Sequence, residues 1–223
     1  MIRRAAGLAL CAAAGAAASI AGEIPKAVVV LERLSAPAGD LGDPAPPRFV
    51  LLEDGQVFVG GSSQVLTARL AGADVKALER RIADVRKLPG LSGAVTIGPG
   101  EAKHRLLLRR GRPIQMTITG DPEQAEALRP LASLLVDLPR FHHPSLTLYV
   151  PAQYAMSARE GTLAGGCRPW PFTEPPARLA FAPRVVTAQE VRGWPTGAMP
   201  ASVCANEKNY VVTLRPLLPG ETP

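Results

Sequence analysis

The sequence predicts an α+β fold: a mostly antiparallel sheet of β-hairpins with two long helices packed on one face, then a small disulfide-tied C-terminal part. Three observations predict it. Residues 48–60 and 103–119 each read as strand, turn, strand. Residues 73–88 and 121–138 carry apolar side chains at three- and four-residue steps, the spacing of one helix face. Cys167 and Cys204 are the two cysteines left once an N-terminal signal is removed, an even number for an oxidising compartment.

The signal comes first in the chain. Arg3 and Arg4 supply a positive start, and residues 5–18 form an Ala- and Leu-rich apolar stretch too short to span a bilayer comfortably. Ser19-Ile20-Ala21 then places small residues at the −3 and −1 positions of a signal peptidase site before Gly22. A lipoprotein signal would use Cys11, but Leu10 stands where a small residue is required. Arg3-Arg4 also lacks the polar flank of a twin-arginine signal. No later stretch offers about 18 uninterrupted apolar residues. Residues 1–21 therefore read as a cleaved signal peptide, the alternative being an uncleaved N-terminal anchor, and the mature chain as secreted, periplasmic or extracellular, with no transmembrane span after cleavage.

Within the mature chain, residues 27–34 (AVVVLERL) are dense in β-branched side chains and predict a first strand. Residues 35–47 (SAPAGDLGDPAPP) read as a loop. In the hairpin at 48–60, Asp54-Gly55 between RFVLLE and QVFVG predicts a type I′ turn, with positive φ at both positions. A short strand is expected at 65–70. The helix at 73–88 gathers Val75, Leu78, Ile82, Val85 and Leu88 on one face, and Pro89-Gly90 stops it. A short strand at 94–98 precedes the second hairpin, which turns at Gly111-Arg112. Asp121 then reads as an N-cap with Pro122 at the first helical position. Leu128, Leu131, Leu135 and Leu138 form the expected stripe, and Pro130 inside it predicts a kink or a late start. Leu78 and Leu128, Val85 and Leu135, and Leu88-Pro89 and Leu138-Pro139 match at an offset of 50, the pattern a duplicated ββα unit would leave.

Residues 144–162 read as irregular and 165–176 as a Pro-rich bridge. Thr187-Ala188-Gln189-Glu190 has capping-box spacing and predicts a short helix ended by Trp194-Pro195. Residues 209–214 (NYVVTL) predict the final strand. The organisation expected is an α+β domain of two hairpin–helix units over 22–160 and a Pro/Gly-rich subdomain over 161–223. One disulfide between Cys167 and Cys204 is expected to tie the latter. Neither cysteine lies in a CxxC or beside a histidine, which argues against a nucleophile or metal ligand.

FVLLEDGQVFV at 49–59 and YVVTLRPLLPGE at 210–221 resemble the strand-DG-strand opening and the closing RPLLP strand of a group of uncharacterised bacterial exported proteins and lipoproteins. The segment between Cys167 and Cys204 fits the same group. The resemblance implies export and company over much of the mature chain, but no activity. Many members carry a lipobox cysteine, and this chain departs from them there.

Composition narrows the function classes. At 47% hydrophobic and 4% aromatic, the core must be built from Leu, Val, Ile and Ala. The net charge of +6 falls to +4 when Arg3 and Arg4 leave with the signal, a mildly basic balance that favours anionic partners. Lys103, Arg105, Arg109, Arg110 and Arg112 crowd the second hairpin, and Arg80, Arg81, Arg86 and Lys87 lie on the preceding helix. Guanidinium groups so placed suit phosphates or carboxylates, so the hairpin is the candidate anion-binding feature. Nucleic acid is not the expected partner, because stacking aromatics are scarce.

No catalytic, cofactor or metal motif is present in the sequence. Gly61-Ser62-Ser63 and Ser92-Gly93 do not complete a nucleophile elbow, and Gly98-Pro99-Gly100 reads as a turn. His142 and His143 would point apart on a regular element and read as a solvated cap; His104 reads as an exposed neighbour of Arg105. The expectation is a non-enzymatic binding domain outside the cytoplasm, for another envelope protein or an anionic surface. The alternative is an extracytoplasmic hydrolase, in which His104, His142 or a carboxylate meets a Ser or Cys in a pocket.

Overall fold

The computed structural model describes residues 25–34, 47–60, 64–125 and 128–222. The predicted signal, nearly all of the loop at 35–47 and Gly61-Ser62-Ser63 lie outside the described residues.

The fold is α+β, with two helices and two mostly antiparallel sheets. The first sheet is built from β1 (Ala27–Leu34), β2 (Phe49–Leu52), β3 (Gln56–Gly60), β4 (Val65–Arg69), β5 (Gly93–Thr96), β6 (Lys103–Leu108), β7 (Ile114–Thr119) and β8 (Thr147–Leu148). Its order is β5-β7-β6-β1-β2-β3-β4-β8. Only the β5–β7 pair is parallel among these described strands. Helix α1 (Gly72–Arg86) follows β4, and α2 (Arg129–Asp137) comes after β7.

Both helices lie on one face of this sheet, because alternation puts every second strand residue there. Leu31, Phe49, Leu51, Val57, Leu106, Leu108, Met116 and Ile118 meet Leu78, Ile82 and Val85 of α1 and Leu131, Leu134 and Leu135 of α2. Each such aliphatic or aromatic side chain, fully buried, contributes about 1.5–3 kcal/mol. An offset of 50 carries β4 at 65–69 onto 115–119 in β7. The β3–β4 and β6–β7 hairpins also sit at matching places on either side of the central β1–β2 pair.

Three local expectations change. The first hairpin does not turn as type I′. Glu53, Asp54 and Gly55 form a three-residue loop in which Gly55 alone has positive φ, +82°, and its N–H donates to the Leu52 carbonyl at 3.1 Å. That is a type I turn closed by a left-handed glycine. The two-residue loop with both central residues at positive φ is Asn206-Glu207, at 50° and 62°, between Ala205 and Lys208.

The second helix takes the later of its two expected starts. Asp121 caps only a 3-10 turn, Pro122–Gln124, accepting the Glu123 N–H at 3.0 Å. Leu128 turns to φ 55° and α2 begins at Arg129, with Pro130 in its first turn, where a missing N–H costs nothing. Leu128 is consequently only half-buried, and Leu134 takes a place in the stripe.

The stretch at 144–162 is not irregular: it holds β8 and the eight-residue β9 (Gln153–Glu160). With β10 (Arg168–Pro169), β11 (Arg184–Thr187), β12 (Gly197–Ala205) and β13 (Lys208–Pro216), β9 forms a second sheet, in order β10-β12-β13-β9-β11. The sheets therefore change before Gln153, ahead of residue 160. The Thr187–Glu190 capping box forms, Glu190 accepting from the Thr187 N–H at 2.7 Å and Oγ1 at 2.9 Å, but it closes a turn rather than a helix.

Cys167 and Cys204 form a disulfide across 37 residues, with Cα atoms 5.5 Å apart, beside the parallel β10–β12 pair. A loop of that length stabilises by about 4 kcal/mol in the chain-entropy model. The final strand β13 belongs to the second sheet, and the tail after it crosses to the first. Leu218 lies against Val50, Leu52, Phe58 and Val65 on the face opposite the helices. The Tyr149 hydroxyl donates to the Leu217 carbonyl at 2.9 Å, and Glu221 pairs with Arg215.

Candidate functional site

The core closed by the tail lies over β2, β3 and β4 on the face that the helices leave open, with Ala27 and Val30 of β1 at its edge. On the β1–β6–β7–β5 half, Lys103, Arg105 and Leu107 alternate with the core-facing His104, Leu106 and Leu108. Gln115, Thr117 and Thr119 stand beside them on β7. None of these six outward residues of β6 and β7 is buried, whereas Leu106, Leu108, Met116 and Ile118 on the helix side are 0–1% exposed. Among the described residues nothing buries this side of the second hairpin, a mostly polar face that includes Leu107 and has a basic row along it.

The five predicted basic residues divide. Lys103 is exposed on the bare face. Arg105 lies beside it and is paired with Glu32 of β1. Arg109 sits at the strand end, its Nη1 3.5 Å from the Ala27 carbonyl. Arg110 points the other way, to Glu79 of α1. Arg112 is exposed in the turn, and its carbonyl accepts from Arg86 Nη1 at 2.5 Å. Arg86 also bonds the carbonyls of Leu108 and Arg110, so it holds the turn rather than adding to the basic row. The sequence showed the density of charge; it did not show that strand alternation and one helix arginine would sort it onto two sides.

The histidines depart from their expected places. His104 shares the helix-facing side with Leu106, so it is not an exposed neighbour of Arg105, and both its ring nitrogens are buried without a hydrogen-bond partner. Burial lowers its pKa below 6.5, and the Arg33 and Arg48 charges lower it further; Asp121 opposes them. His142 is exposed. His143 is not a solvated cap: its Nε2 lies 3.5 Å from Asp74 Oδ2 in the first turn of α1. Its Nδ1 lies 2.6 Å from Ser145 Oγ.

This Ser–His–Asp series invites comparison with a hydrolytic triad. Two features weigh against it. The Ser145 backbone N–H also donates to Nδ1, at 3.3 Å, so the lone pair a general base would use already closes a local turn. Ser145 is exposed, and neither of the clefts lined by Leu108 or by Tyr149 includes it. Because Nδ1 accepts the Ser145 N–H, the ring proton sits on Nε2 and faces Asp74, which ties the loop after α2 to the start of α1. Nothing in the sequence spacing marked Asp74 as the partner of His143, because they are joined only by the packing of α1 and α2.

A further group was missed. Trp170, Phe172 and Trp194 form an aromatic cluster with centroids 5.0–6.3 Å apart. Arg168 stacks over Trp194 at 5.2 Å and Arg184 over Phe172 at 4.6 Å. Trp170 Nε1 donates to the Glu174 carbonyl at 2.6 Å. Guanidinium groups therefore occupy ring faces that a stacking ligand would need, and the cluster extends the second core. Among the described residues, no group of three His, Cys, Asp or Glu could hold a metal ion, and no helix is long and apolar enough to cross a membrane. No family model, curated protein or solved structure matches the chain.

Proposed function

We propose that this is an exported, non-enzymatic binding module that docks the bare face of β6 and β7 onto an anionic surface outside the cytoplasm. The observation that carries the reading is the pairing of an exposed sheet face with Lys103 and Arg109, which have no carboxylate partner among the described residues, on either side of the Glu32-paired Arg105. A solvated antiparallel face needs no partner, but one that concentrates cations attracts anions beyond what the modest net charge provides. The signal-like N-terminus and the disulfide support the compartment, and the two motifs support kinship with exported proteins and lipoproteins.

The test is co-sedimentation of the mature protein with phosphatidylglycerol and with phosphatidylcholine vesicles. Binding to the anionic vesicles only, weakening with salt, is the expected result. Lys103→Glu with Arg109→Glu removes two contacts of about 1 kcal/mol each, so affinity falls at least about tenfold. Lys76→Glu with Arg80→Glu, the same charge change on the outer side of α1, leaves binding nearly intact. Equal losses in both pairs would show that net charge alone matters and contradict the reading.

The Ser145–His143–Asp74 series favours a second reading, an extracytoplasmic serine hydrolase. A fluorophosphonate probe decides it: labelling abolished by Ser145→Ala supports hydrolysis, and the local-turn geometry predicts no labelling.

A further inference from the structure

On the opposite side of the first sheet, a cleft of about 180 Å³ opens between α1 and the β6–β7 turn. Val28, Val29, Leu51, Ile82 and Leu108 form its apolar wall, all at most 7% exposed. A dry apolar cavity of about 150 Å³ accepts benzene, so this cleft has room for an aryl or short alkyl group.

Its mouth is charged. Arg110 reaches across it to Glu79, and Arg86 lies beside them. The Arg86 guanidinium is held by the carbonyls of Leu108, Arg110 and Arg112, and among the described residues no carboxylate pairs with it. Two guanidinium groups against one carboxylate leave the mouth with excess positive charge, fixed in place by the turn it closes. A ligand that fits has an apolar body for the wall and a carboxylate for the mouth. That carboxylate would take the place of Glu79 on Arg110, one charge-assisted hydrogen bond exchanged for another while Glu79 turns out to solvent, so the net attraction comes from the buried apolar body and the uncompensated Arg86 charge.

We propose that this cleft is a binding site for small amphiphilic carboxylates of the arylacetate or short fatty-acid class. The site lies on the helix side of the sheet and does not rest on the vesicle-binding face, so either can fail alone.

The experiment is titration of the mature protein with phenylacetate, followed by the methyl resonances of Val28, Ile82 and Leu108. Acetate and benzyl alcohol serve as probes of the head group and the body taken separately. Saturable shifts with phenylacetate, at least tenfold weaker with either probe, are expected. Ala83→Phe, an exposed position on α1 at the cleft, fills the space and abolishes the shifts. Glu79→Gln frees Arg110 and tightens binding several-fold, an arm that does not depend on the Ala83 variant folding. Absence of shifts, shifts that survive Ala83→Phe in a folded variant, or equal binding of benzyl alcohol would overturn the proposal.

Discussion

His104 carries an ionisation that folding opposes. Both ring nitrogens of this half-buried residue are shielded from water with no hydrogen-bond partner among the described residues, and Arg33 and Arg48 add repulsion to any proton it gains. The folded state therefore holds it neutral to a lower pH than the unfolded chain does. Well above pH 6.5 both states are neutral and protonation of the ring takes nothing from stability. As pH falls through 6.5, the unfolded state binds a proton the folded state resists, and stability drops until the lowered pKa is passed. Urea midpoints measured above and below that pH should fall on acidification in the native protein and fall markedly less in His104→Leu. Equal acid sensitivity in the two proteins would contradict the account. The placement was legible in outline: His104 alternates in phase with Leu106 and Leu108, which marks the core side. The adjacent Arg105 drew the reading towards solvent. What alternation cannot show is that Arg33, Arg48 and Asp121, from three other segments, converge on the ring.

At the scale of the element, the tail after β13 does more than end the chain. Leu218 is 6% exposed and closes the small core over Val50, Leu52, Phe58 and Val65, while Glu221 takes both the Arg215 guanidinium and the Leu218 N–H. Leu218→Ala removes the side chain from this core and should cost about 2–4 kcal/mol, read as a lower urea midpoint with an unchanged m-value. A change below about 0.5 kcal/mol, typical of surface positions, would show that the tail is not packed there. Elements with strong local signals were readable: α1 from its apolar period and Pro-Gly stop, β1 and β13 from β-branched runs. β9 (QYAMSARE) and β12 (GAMPASVCA) lack such runs, and β12 contains a proline. Their strand state comes from pairing on both sides in the second sheet, a tertiary effect that local propensity underweights. The first hairpin shows the same limit at finer grain, since Asp54-Gly55 marks a turn but the register across it decides its length.

For the whole molecule, the layers explain where function can sit. Helices cover one face of the first sheet, the C-terminal tail covers the β2–β4 part of the other with the edge of β1, and among the described residues nothing buries the outward side of β6 and β7 with its cations. The fold class and disulfide were legible because patterning and cysteine parity are global features. The division of the basic hairpin into a surface row and an Arg110–Glu79 ion pair was not, because it depends on which side of the sheet α1 packs. The proposed function makes the outward side of β6 and β7 the working surface. Amide hydrogen exchange of the mature protein with and without phosphatidylglycerol vesicles tests it most directly. Added protection confined to β6, β7 and the turn between them is the predicted result; protection elsewhere, or none at saturating vesicle concentration, would contradict it.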